Sequence, residues 1–178
     1  MKSKPPKNQE LRRPSKFRLS GRQLAFAAVM GSLACAVRNL GLFVMVYPPF
    51  RIDPRWVFSL LGACWTGPVG GLIAGFLAAM KLPYPMIDLA CIPVHFVIGL
   101  VSRQLSQSGR TGLYACFLWP ILGVPSYWLA TLLFVPKLAT PALIPILAFI
   151  GATTAASAFI VGLAIERRAK PFIQFLQS

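Results

Sequence analysis

Of the 178 residues, 56% are hydrophobic and only 12% charged, about half the ~25% charged share of a water-soluble domain. That composition excludes an ordinary soluble fold and makes lipid part of the chain's solvent. The net charge of +14 does not indicate nucleic acid, because no nucleic-acid-binding module accompanies it and the charge is concentrated at one end.

Eight of the 18 basic residues lie before Gln23: Lys2, Lys4, Lys7, Arg12, Arg13, Lys16, Arg18 and Arg22. Residues 1–22 therefore read as a basic cytoplasmic tail under the positive-inside rule, lying against anionic lipid headgroups. The first span is expected from Gln23 to Val46, with Arg38 and Asn39 toward its far end. A loop follows from Tyr47 to Arg55, where three prolines exclude regular helix.

Trp56 to Met80 is 25 residues without a charge, interrupted at Gly67-Pro68. It is either one kinked helix or two short ones, and the choice reverses the orientation of everything downstream. Two short helices give six spans. They place the eight tail charges with Arg103, Arg110, Arg167, Arg168 and Lys170 inside, thirteen against Arg51, Arg55, Lys81 and Lys137 outside. One helix gives five spans and a split of ten against seven. The positive-inside rule favours six spans with both termini cytoplasmic. Each half-length helix is then too short to cross a ~30 Å hydrocarbon core and needs protein shelter.

Further spans are expected from Met86 to Leu105, from Gly112 to Val135 with kinks at Pro120 and Pro125, and from Ala142 to Glu166. The last carries Ala148, Ala152, Ala156 and Gly151, Ala155, small residues at four-residue spacing that permit close helix approach. The expected architecture is an all-α integral membrane bundle of six transmembrane helices over residues 23–166. Helices 2 and 3 are short and joined at Gly67-Pro68, and residues 167–178 form a basic cytoplasmic tail. Cys35, Cys64, Cys91 and Cys116 stand singly, 25 to 29 residues apart, as small packing residues rather than metal ligands.

This organisation resembles the substrate-binding S components of energy-coupling factor (ECF) transporters, which capture vitamins and other micronutrients. The resemblance covers about residues 19 to 166. It rests on the basic amino terminus leading into the Ala-rich Leu24-Ala-Phe-Ala-Ala-Val-Met-Gly-Ser-Leu-Ala34, on the Pro-rich loop, and on Leu60-Leu-Gly-Ala-Cys-Trp-Thr-Gly-Pro-Val-Gly-Gly-Leu-Ile-Ala-Gly75. The last resembles the family's Gly-Pro-x-x-Gly hairpin. The resemblance implies a plasma-membrane importer subunit that works with a transmembrane T component and cytoplasmic ATPase subunits. Family members dock through an Ala-x-x-x-Ala face on helix 1; this chain has Ala27-x-x-x-Gly31 and Ala28-x-x-x-Ser32, which implies docking at Ala27, Ala28, Gly31 and Ser32.

The chemistry needed by other classes is largely missing. There is no phosphate-binding Gly-x-x-x-x-Gly-Lys-[Ser/Thr] loop, no His-Glu-x-x-His motif and no nucleophile elbow, so neither an enzyme nor a cofactor is expected. A Ser126 or Cys91 nucleophile beside His95 is the enzymatic alternative, and a ligand-free membrane scaffold is another.

Asp88 and His95 lie seven residues apart and so share a helix face. Ionisable groups at membrane depth are costly and point to function, or else Asp88 merely neutralises Arg38. With Arg38-Asn39, Arg55 and Trp119 they outline a substrate site in the outward half, among helices 1, 4 and 5. Trp119, Tyr127 and Trp128 offer aromatic walls for a flat ligand, although Tyr127 and Trp128 also suit interfacial anchoring. The outward charges carry a surplus of three positives, which favours an anionic solute.

Overall fold

Ser20 starts the first helix with a reciprocal cap. Its Oγ accepts from the Gln23 amide at 3.3 Å while its own amide donates to Gln23 Oε1 at 3.1 Å, satisfying two donors that a helix start leaves open. The computed structural model describes residues 19–47, 50–80 and 85–177; most of the basic tail, Lys81 and the tip of the Pro-rich loop lie outside these.

Helix α1 (Gly21–Asn39) ends seven residues before the expected Val46. Gly41 takes φ 70°, and the amides of Gly41 and Leu42 turn back to the carbonyls of Arg38 and Val37, each at 3.1 Å. That is the closure a left-handed glycine provides at a helix end. The apolar run beyond it forms strands β1 (Val44–Tyr47) and β2 (Phe50–Ile52) instead of more helix. They pair antiparallel, with Val44 opposite Ile52 and Met45 opposite Arg51. This small hairpin is a local departure within an otherwise helical bundle: β-branched and aromatic residues on either side of two prolines suit strands better than helix.

Helix α2 (Arg55–Ala79) begins where Asp53 Oδ1 accepts the Arg55 amide at 3.1 Å. Gly67 then departs from helical geometry at φ 81°, ψ −165°, immediately before Pro68. The chain folds back there. Arg55 Nη1 reaches the Ala78 carbonyl at 3.3 Å across 23 positions, a separation of roughly 35 Å along a straight helix. Limbs 55–66 and 68–79 thus form a helical hairpin, each about 18 Å long. Glycines let its limbs approach their neighbours. A Cβ on Gly62 would sit 2.9 Å from the Ala74 Cβ, one on Gly71 2.4 Å from the His95 carbonyl oxygen, and one on Gly99 2.4 Å from the Gly67 oxygen.

The expected fourth span is split into α3 (Pro85–Leu89) and α4 (Ile92–Gln107). Pro93 explains the break, since it lacks an amide proton and its ring excludes the Leu89 carbonyl from a continuous helix. The fifth span runs as a 3₁₀ segment (Gly112–Phe117), one wide π turn (Trp119–Gly123) and α5 (Val124–Phe134). Pro120 and Pro125 each remove a ladder hydrogen bond there, as expected from the sequence.

Helix α6 (Leu143–Arg168) buries Gly151, Ala155, Ala158 and Gly162, while Ala148 and Ala152 face outward. The last twelve residues were expected as a tail, yet α7 (Lys170–Gln177) buries Ile173 and Leu176 and exposes Phe172 and Phe175. Its Phe175 ring lies 3.8 Å beneath the Arg22 guanidinium carbon.

Four stretches have the length and hydropathy of a membrane crossing: Arg55–Ala79, Met86–Gln107, Gly112–Phe134 and Leu143–Arg168. The first of them is the folded-back hairpin. Large apolar side chains cover the outer surface, with Ile121 63%, Leu133 68% and Ile160 65% exposed. A soluble surface does not carry apolar faces so extensive, and these mark a helical, multi-pass membrane protein.

Candidate ligand cavity

Asp88, the fourth of the five residues of α3, is almost fully buried and holds two guanidiniums. Arg38 Nη1 at the end of α1 donates to its Oδ2, and Arg55 Nη2 at the start of α2 donates to its Oδ1 at 2.8 Å. Arg55 also pairs through Nε with Asp53 Oδ2 at 2.9 Å and lies 4.1 Å over the Trp56 ring. A carboxylate shared in this way fastens α1, both limbs of α2 and α3 together. In a buried setting each charge depends on its partner.

Beneath this cluster Trp56, His95 and Trp119 pack as tilted rings, with centroids 4.9 Å apart for the two tryptophans and 5.2 Å for His95 and Trp119. His95 is fully buried. Its Nδ1 faces the Cys91 carbonyl at 2.9 Å, which can only accept, so Nδ1 carries a proton; Nε2 faces Ser59 Oγ at 2.9 Å. Gly75 makes room for the ring, as a Cβ there would meet His95 Cγ at 2.9 Å.

Next to the tryptophans opens a cavity of about 300 Å³, at the low end of the ~300–1,000 Å³ found for small-molecule sites. Its polar wall is Arg38, Asp53 and Arg55, its aromatic wall Trp56, Trp119 and Tyr127, and α6 closes it with Leu143, Leu147 and Gly151. Thr131 adds a hydroxyl whose proton goes to the Tyr127 carbonyl at 2.8 Å.

Among the residues expected at a site, Arg38, Arg55 and Trp119 line this cavity. Asp88 and His95 do not; they support it, one by holding both arginines and the other by packing behind the tryptophans. Asn39 points elsewhere, its amide donating to the Cys35 carbonyl at 2.9 Å on an exposed face. The three expected spans all reach the cavity, the first through Arg38, the fourth through Ile87 of α3 and the fifth through Trp119 and Tyr127, and the start of α2 and α6 complete it. Asp53, Trp56 and the α6 residues were not singled out from sequence. Asp53-Pro54-Arg55-Trp56 was a legible signal, an acid and a base at a helix start beside an aromatic residue. The α6 lining residues are ordinary apolar side chains with no signal of their own.

On the cavity wall the charged side chains are Arg38 and Arg55 against Asp53, and Asp88 behind the wall pairs with both arginines. The expected docking residues divide as well. Ala27 and Gly31 are buried against the second limb of α2, where a Cβ on Gly31 would lie 2.8 Å from that of Leu77. They are therefore internal packing residues; Ala28 is half-buried and Ser32 exposed.

A metal reading finds no support among the described residues, where no group of three or more His, Cys, Asp or Glu comes together. Comparison with family models, curated proteins and solved structures finds no match to this chain.

Proposed function

We propose that this chain is the substrate-binding subunit of an ECF-type importer. It captures a small micronutrient outside the cell and delivers it inward with a separate transmembrane partner and ATPases. The cavity carries this reading, because a buried guanidinium and two tryptophan faces at the less basic end of a membrane bundle form a binding chamber. Six membrane passages with both termini cytoplasmic fit the folded-back hairpin together with the charge split. Energy must come from partners, since the sequence has no phosphate-binding loop.

Within this reading the docking surface for the transmembrane partner is the outward strip of α1 at Ala28 and Ser32. The test is co-purification from native membranes followed by uptake in reconstituted vesicles. Recovery of a second membrane protein with one or two ATPases, and ATP-dependent uptake only when all are present, supports the reading. Uptake by the lone chain at a physiological rate overturns it. The closed ion network favours a second reading, a scaffold whose charged residues serve stability alone.

A further inference from the structure

We propose that the cavity selects a compact, flat solute carrying one carboxylate, and that the Nε edge of Arg38 is the recognition point. This rests on the reading of the cavity as a ligand site. Arg38 is a cavity-lining side chain only 10% exposed, and its hydrogen bonding to the described residues is confined to Nη1 on Asp88. Its buried Nε has no hydrogen-bond partner among the described residues. Arg55 Nε likewise makes no hydrogen bond of good geometry, but it lies 2.9 Å from Asp53 Oδ2 in an ion pair while Nη1 and Nη2 donate to Asp88, so a carboxylate already faces that edge.

A guanidinium carries five N–H donors in a fixed plane. The Nε–H and the adjacent Nη2–H run parallel, and that spacing matches the two oxygens of a carboxylate. Leaving such an edge buried without an acceptor is costly, and a ligand carboxylate supplies the acceptor. The only acid among the lining residues is Asp53, already engaged by Arg55, so a cationic solute finds no open partner there. Trp56 and Trp119 offer ring faces to a planar body, and about 300 Å³ limits that body to roughly two fused rings.

The experiment compares indole-3-carboxylate with indole-3-carboxamide, which have nearly the same shape and differ in charge. Binding to the full chain in nanodiscs is measured by equilibrium dialysis, with empty nanodiscs subtracted. The carboxylate is expected to bind at least tenfold tighter than the carboxamide, and Arg38→Gln is expected to abolish that preference, bringing the two probes within about twofold of each other. If Arg38→Gln loses both probes, Arg38→Lys replaces it, since this variant keeps a charge toward Asp88 and removes the fork. A lost preference in Arg38→Lys supports the inference, and a retained preference overturns it. Equal binding of the two probes to the unmutated chain overturns the carboxylate inference and leaves the ligand-site reading standing. Saturable binding of neither overturns the inference too; the ligand-site reading then falls only if the purified chain also retains no small molecule.

Discussion

Asp88 and Arg55 meet at 2.8 Å across 33 positions of sequence, so the carboxylate on the short helix α3 secures the start of α2. Because Arg38 shares that carboxylate, neutralising it leaves Arg38 without its carboxylate partner and Arg55 with Asp53 alone. Asp88→Asn is expected to destabilise the bundle by about 3–5 kcal/mol, with or without ligand. A thermal melt of the variant in detergent checks this. An unchanged melting temperature would mean that the two arginines find other acceptors.

Trp119 is positioned by a glycine. A Cβ on Gly123 would lie 2.7 Å from the Trp119 ring, so Gly123→Ala is expected to push that ring into the cavity. Overpacking of this kind costs about 1–3 kcal/mol. Ligand affinity should fall by tenfold or more, and a titration against Trp119→Leu in parallel separates a displaced ring from a lost one.

How much of this was legible in the residues differs by feature. The hairpin at Gly67-Pro68 was readable, because a glycine before a proline in an uncharged run is a strong local break and the charge split required a reversal there. The Arg38–Asp88 pair was foreseen as an alternative to ligand binding, from the cost of burying either charge alone. The end of α1 was misplaced, since the run from Leu42 to Tyr47 is as apolar as a helix end; the left-handed Gly41 and the strand pairing with Phe50–Ile52 decide it. The expected spans 1, 4 and 5 each line the cavity, but sequence ranks residues by unusual chemistry, which drew Asn39 and His95 in and left α6 out. Helix α7 was hidden behind its charges, whereas Ile173 and Leu176 at i and i+3 carry its packing.

The hairpin has a topological consequence. With six passages, cysteines introduced by Ser3→Cys and Ser178→Cys stay unreactive toward an impermeant thiol reagent in intact cells, while one introduced by Lys137→Cys reacts. Labelling at Ser178→Cys but not at Ser3→Cys would restore five passages.

Partner docking separates into two kinds of substitution on α1. Gly31→Leu drives its side chain into Leu77 and Ala74 and is expected to lower the stability of the chain itself. Ala28→Leu and Ser32→Leu, on the outward side, should leave the melting temperature within about 2 °C, a shift equivalent to about 0.5–1 kcal/mol in a chain of this size. They should instead reduce co-purification of the transmembrane partner. Full partner recovery with both outward variants would place docking on another face.

Mass spectrometry of small molecules released from the gently purified chain tests the central claim most directly. One small solute at near-stoichiometric amount is expected from the unmutated chain, much reduced after Trp119→Leu in protein that still folds. Folded protein that releases only lipid and detergent would contradict a ligand-binding subunit and leave the buried arginines as elements of a scaffold.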